Sequence, residues 1–140
     1  MNLWSLKVLQ SKKNIEMVIF LGLFLILISG ASEGIMDSIQ FHFERTPFYK
    51  FKNQKFWNPG ISWRNKWKNG DPSQGERFRF SSTFLVSVTD AWHLFKMLRN
   101  VGIFISIPLI SYQSESPLQV ILFALCLRIV YGIGFRLMYK

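Results

Sequence analysis

The sequence predicts an all-α integral membrane protein with three transmembrane helices and an aromatic, basic interfacial loop between the first two. Three observations carry that prediction. Hydrophobic residues make up 49% of the 140-residue chain, with 14 Phe and 5 Trp, an unusual share for a soluble domain of this size. They are clumped: residues 17–31 (MVIFLGLFLILISGA) carry no charge and residues 118–135 (LQVILFALCLRIVYGIGF) carry only Arg128, so each run approaches the ~20 residues of a spanning helix. The formal net charge of +9 gathers mostly between the apolar runs. Beside membrane spans such charge sets topology and draws the chain to anionic lipid headgroups.

The first span is expected over about residues 15–33. Lys12, Lys13 and Asn14 precede it and SGASEG follows, a layout that also fits a cleavable signal peptide. The continuation GIMDSIQFHF keeps a helical pattern, with Glu33 and Asp37 four apart on one face, which favours a retained span. Gly30 and Gly34 form a small-xxx-small pair that lets another helix approach closely.

The second span, residues 83–112, would reach roughly 45 Å as one helix, longer than the ~30 Å hydrocarbon core. Its first part, to about Lys96, reads as amphipathic, and the deeper part carries Pro108, a site for a bend. The turn QSESP leads to the third span, residues 118–138. Cys126 is the one cysteine, so the chain forms no internal disulfide, and its expected role is apolar packing.

Direction follows from Lys and Arg near the spans. The loop at residues 35–82 carries nine and the C-terminal end adds Arg136 and Lys140, against Lys7, Lys12 and Lys13 on the other side. An asymmetry of eleven to three predicts a cytoplasmic loop and C-terminus with the N-terminus outside.

Within the loop, FYKFKNQKFWNPGISWRNKWKNGDP interleaves aromatic and basic residues. Such a mixture can bind nucleic acid, but between two spans it fits the headgroup layer, with Trp57, Trp63, Arg64, Lys66 and Trp67 as the interfacial set and no nucleic-acid partner. Trp63, Lys66 and Trp67 have the spacing of a short amphipathic helix. The stretches FWNPGISWRNKWKNGDP and SSTFLVSVTDAWHLFK resemble a group of small, uncharacterised bacterial integral membrane proteins, over roughly residues 31–96. That resemblance implies a bacterial cytoplasmic (inner) membrane location and brings no catalytic residues.

With the loop on one side, the ends of the first two spans meet at one depth, bringing Glu33, Asp37 and His42 level with Asp90 and His93. Asp90-x-x-His93 sets a carboxylate and an imidazole one helical turn apart, and together with the other three they predict a divalent site for Zn, Fe or Mn. The structural alternative has Asp90 cap its helix or pair with Arg136, with His93 an interfacial hydrogen-bonding residue. Arg128 falls near the bilayer midplane, where arginine costs ~2.5 kcal/mol or more without a partner; Ser106, Asn100, a carbonyl freed at Pro108 or a second copy could supply one.

Two functions follow as expectations. A non-enzymatic accessory or assembly component, in a homo-oligomer or larger membrane complex, is favoured because three helices bury little alone. The rival is a membrane-embedded metal-dependent enzyme, hydrolytic or redox, using the Asp/His set at the cytoplasmic boundary. The sequence contains no G-x-S-x-G, H-E-x-x-H, Walker A loop or cysteine pair to name a reaction.

Overall fold

The computed structural model describes residues 3–114 and 116–140, with side chains at residues 10, 12–114 and 116–140. The Lys7 side chain and Glu115 of the QSESP turn lie outside the described residues. Three long helices dominate: α1 (Leu3–His42), α4 (Ala91–Ser111) and α5 (Pro117–Met138). Two one-turn helices, α2 (Gln54–Trp57) and α3 (Pro59–Ser62), lie in the connection between α1 and α4. The described residues contain no strand, only an isolated antiparallel bridge between Trp67 and Glu76. The fold is all-α, and all three long helices are long and apolar enough to cross a membrane.

Helix α1 overruns the expected span at both ends. Its 40 residues reach about 60 Å, twice the hydrocarbon thickness. Nothing in its sequence stops it before Thr46-Pro47, where the residue preceding proline must leave the α region. There residues Phe43–Arg45 tighten into a 3₁₀ turn, Thr46 turns extended, and its hydroxyl donates to the Phe43 carbonyl at 2.7 Å.

The second long helix starts later than its sequence predicts. Residues 82–90 form turns and one short 3₁₀ segment, Val86–Val88, instead of an amphipathic first part. Glu76 is one reason: its carboxylate accepts from the Phe80 and Ser82 backbone N–H groups at 2.9 and 3.1 Å and from the Ser82 hydroxyl, holding a turn that a helix would break. Phe80 accordingly takes the left-handed conformation, φ 67°. Asp90 then caps α4, accepting from the His93 N–H at 2.9 Å. The shortened helix has 21 residues, about 31 Å, which matches the hydrocarbon core without an overhang. It continues through Pro108 to Ser111.

Helix α5 follows its expected bounds closely because both signals are local. Ser116 caps it by accepting from the Gln119 N–H, and Pro117 occupies the first turn, where its missing N–H costs nothing.

Helix α1 is the centre of the bundle, with α4 and α5 each laid along it and touching one another little. Small residues set both seams. Gly30 and Gly34 face the α5 backbone at Tyr131 and Phe135, Gly134 faces α1 at Leu27 and Ala31, and Gly102 of α4 lies against Ser29. The small-xxx-small pair thus performs the close approach its spacing predicts. Ser29 and Ser106 return their hydroxyls to their own helix carbonyls at 2.8 and 2.6 Å, so the α1–α4 seam stays narrow without leaving these donors unpaired.

The connection from 43 to 90 is folded against the loop-side helix ends. Phe48 stacks on Trp57 at 4.6 Å, Phe51 and Phe56 meet Trp57 edge-on, and Trp57 reaches Phe95 of α4. Asn65 donates to the Thr89 carbonyl at 2.9 Å and Ser81 to the Lys66 carbonyl at 2.7 Å. The expected amphipathic helix at Trp63 is a 3₁₀ turn, Trp63–Lys66, after which Trp67 is extended.

Candidate functional site

The polar residues converge where α1 ends and α4 begins. Asp90 is 2% exposed. Its carboxylate caps α4, meets the His93 Nδ1 at 2.8 and 2.9 Å and accepts from the Thr89 hydroxyl at 3.1 Å. Their three-residue spacing explains the contact: the first turn of a helix folds residue N3 back over its cap. With Nδ1 engaged, Nε2 is the ring nitrogen left to exchange a proton or bind a ligand. His93 borders two hollows. One, about 270 Å³, includes Gln40, Pro59, Ser62 and Trp63. The other, about 610 Å³, runs along α4 past Lys96 and Asn100 to Val101 and Phe104, grading from polar to apolar.

The other members of the anticipated ligand set have separate positions. Glu33 receives the Arg99 guanidinium at 3.2 Å, while Arg99 turns Nε and Nη2 onto the Asn100 amide oxygen. His42 Nε2 lies 3.2 Å from the Tyr139 hydroxyl, beside Ser38, which donates to the Met138 carbonyl and accepts from the Lys140 N–H. Asp37 is half-buried on α1. Among the described residues no three His, Cys, Asp or Glu side chains gather into a metal-holding group. Only Asp90 and His93 of the five are in contact with each other.

The expected Asp90–Arg136 pair does not form. Asp90 is occupied by His93 and Thr89, and Arg136 is exposed. The physical reason is the arrangement of helices: α4 and α5 each contact α1 and scarcely contact each other. Arg99 is the residue sequence reasoning missed. The signal was available in principle, because antiparallel helices joined by a loop place residues equidistant from it at matching depth, which pairs Glu33 with Arg99.

Of the interfacial set, Trp57 is half-buried in the aromatic cluster, whereas Trp63 and Arg64 are exposed and the Arg64 guanidinium lies over the Trp63 ring at 5.2 Å. Lys66 sits similarly over Trp67 at 5.8 Å. Two carboxylates of the connection are spent on its turns. Asp71 accepts from the Ser73 backbone N–H and hydroxyl and from Gln74, chiefly the first holding its pKa below the ordinary 3.8. Glu76 is held below 4.5, first by the Ser82 hydroxyl and then by the Ser82 N–H.

A carboxylate whose folded pKa is depressed stabilises the fold fully above its unfolded value and loses that contribution as pH falls through the folded value. The 76–82 turn should therefore loosen only in acid. In a pH titration by NMR, the Phe80 and Ser82 amide resonances are expected to move with a midpoint below 4.5, and the Glu76→Gln protein should lack that transition. A midpoint at or above 4.5 would contradict the assigned turn.

Comparison with protein-family models, curated proteins and solved structures finds no match to this chain.

Proposed function

We propose that this chain is a non-enzymatic component of a larger assembly in the bacterial cytoplasmic membrane, and that it docks a helix of a partner protein along α5. In this reading the connection and the C-terminus face the cytoplasm, in contact with anionic headgroups, and the N-terminus lies outside. The eleven-to-three distribution of Lys and Arg supports that direction.

The observation that carries the reading is Arg128. It lies at the middle of α5, is exposed, and has no hydrogen bond or ion pair among the described residues. Ser106 is turned to Gly102 and Asn100 to Arg99, so two of the three partners anticipated within the chain are otherwise engaged. An arginine at mid-membrane costs ~2.5 kcal/mol or more unless paired, and a carboxylate on a neighbouring helix would offset that cost. Helix α5 also buries little beyond its seam at Gly134, leaving Leu122, Leu125 and Ile129 free for contact. The polar groups first read as a reactive set support the same view: Asp90 caps α4, Glu33 joins α1 to α4, and His42 ties α1 to the end of α5.

Cys126 tests it, being exposed on α5 on one face with Leu122 and Ile129 and the only thiol of the chain. Thiol-directed crosslinking in native membranes is expected to join Cys126 to a different polypeptide. Arg128→Leu should reduce that product about tenfold, the equivalent of ~1.4 kcal/mol, whereas Arg128→Lys should retain most of it. A product of twice the chain mass would make the docked helix a second copy. Full labelling of Cys126 with no crosslinked species in intact membranes would remove the reading.

A further inference from the structure

The connection between α1 and α4 contains a third hollow, remote in role from both the Asp90–His93 contact and the α5 face. It measures about 480 Å³ and is bordered by Lys55, Arg64 and Arg77, with Asn65, Trp67 and Ile61 among its walls. None of the three cations has an ion-pair partner among the described residues, where Arg99 is the cation that meets a carboxylate, Glu33. The nearest acids in sequence are already engaged. Asp71 is directed to Ser73 and Gln74, and Glu76 to Phe80 and Ser82, and neither forms an ion pair with the three cations.

The frame around it is also built. The Lys68 N–H donates to the Gly75 carbonyl at 3.0 Å and the Arg77 N–H to the Lys66 carbonyl at 2.9 Å, closing the segment 66–77 into a hairpin-like loop. Its tip needs left-handed backbone at Asn69, φ 51°, and at Gly70, φ 77°. A Cβ on Gly70 would also contact the stem of Arg64 at 3.4 Å. Asn65 spans the Lys55 and Thr89 carbonyls with its amide nitrogen, fixing the wall that carries Lys55 to the start of α4. Trp67 and Ile61 supply an apolar side next to the three exposed cations.

We propose that this hollow binds a phosphate monoester. Two guanidinium groups present planar donor forks suited to phosphate oxygens, and a lysine adds a point charge, together matching a dianion better than a carboxylate or a phosphodiester. The source is either the headgroup of a phosphatidic-acid-type lipid at the interface or a soluble phosphate monoester. The site is independent of the partner docking proposed for α5.

The test uses the full chain in a neutral detergent, titrated with dihexanoyl phosphatidic acid, dihexanoyl phosphatidylcholine and glycerol 3-phosphate. Tryptophan emission, which includes Trp67 in the wall, and ³¹P line broadening report binding. Saturable binding of phosphatidic acid is expected, with phosphatidylcholine at least tenfold weaker. Glycerol 3-phosphate binding equally well would identify a soluble ligand; glycerol 3-phosphate binding at least tenfold more weakly would identify the lipid. Arg64→Gln with Arg77→Gln should weaken binding at least tenfold without shifting the thermal midpoint, and Lys50→Gln with Lys52→Gln, outside the hollow, should leave it unchanged. The proposal is overturned if the unaltered protein binds neither phosphate monoester saturably, if phosphatidylcholine binds equally, or if the Lys50 and Lys52 substitutions weaken binding as much as the two arginine ones.

Discussion

Leucine in place of Gly30 is expected to detach α5 from α1 and to abolish the three-helix arrangement. A Cβ there would lie 2.8 Å from the Tyr131 carbonyl carbon, closer still to its oxygen, and 3.1 Å from the Phe135 nitrogen. Those are backbone atoms of a continuous helix, so no side-chain rotation relieves the clash, and the two helices must separate along their length. Separation would take with it Gly134, packed against Leu27 and Ala31, and the contacts of Ser38 with Met138 and Lys140. Overpacking typically costs 1–3 kcal/mol; a clash against backbone along an entire seam puts Gly30→Leu at about 3 kcal/mol or beyond. The measurement is an unfolding titration in mixed micelles, read by proximity of labels on α1 and α5. Gly75→Ala, at an exposed loop position with no atom within 4 Å of a Cβ but with φ 80°, should cost far less and act locally. Equal midpoints for Gly30→Leu and the unaltered protein would mean that the α1–α5 seam is not the one described.

The second large effect is expected at Asp90. Alanine removes the cap of α4 and takes from the His93 N–H and His93 Nδ1 an acceptor that is itself only 2% exposed, while the Thr89 hydroxyl keeps the Val86 carbonyl at 2.7 Å. Loss of a cap costs ~1 kcal/mol and loss of a charge-assisted hydrogen bond ~1.5–3 kcal/mol, so Asp90→Ala should destabilise by about 3 kcal/mol. Asparagine keeps the cap and sacrifices the charge, and should cost about 1–2 kcal/mol by the same reasoning. Thermal unfolding followed by tryptophan emission reads both, since Trp63 and Trp92 border the adjoining hollow. If Asp90→Ala left the midpoint unchanged and removed bound zinc, iron or manganese, the residue would belong to a metal site and the structural assignment would fall.

Asp90 also shows where reading a sequence stops. Its proximity to His93 was legible because residues three apart share the first turn of any helix. The other residues around the hollow they border, Gln40, Ser62 and Trp63, come from the end of α1, from α3 and from the 3₁₀ turn after it, and no spacing announces them. The pairing with Arg136 failed for a related reason. Depth along a membrane normal can be estimated from chain position, but the side of the central helix that each neighbour occupies cannot, and α4 and α5 meet too little for that contact.

What the sequence determined by itself was the set of helices and one of their seams. Apolar runs of spanning length, Pro117 after Ser116, Thr46 before Pro47, and Gly30 four residues before Gly34 each act through local chemistry, so each could be read without a partner. The tertiary structure alone decided the rest. Glu76, distant from α4 in sequence, delayed that helix by folding the 80–82 turn onto its own carboxylate. Arg99 became the partner of Glu33, and Lys55, Arg64 and Arg77 came to border one hollow while Arg128 stayed without a hydrogen-bond or ion-pair partner among the described residues. Charges interact over a few ångströms in any direction, and their partners depend on how the helices and the folded connection are placed, a relation that hydropathy and periodicity do not encode.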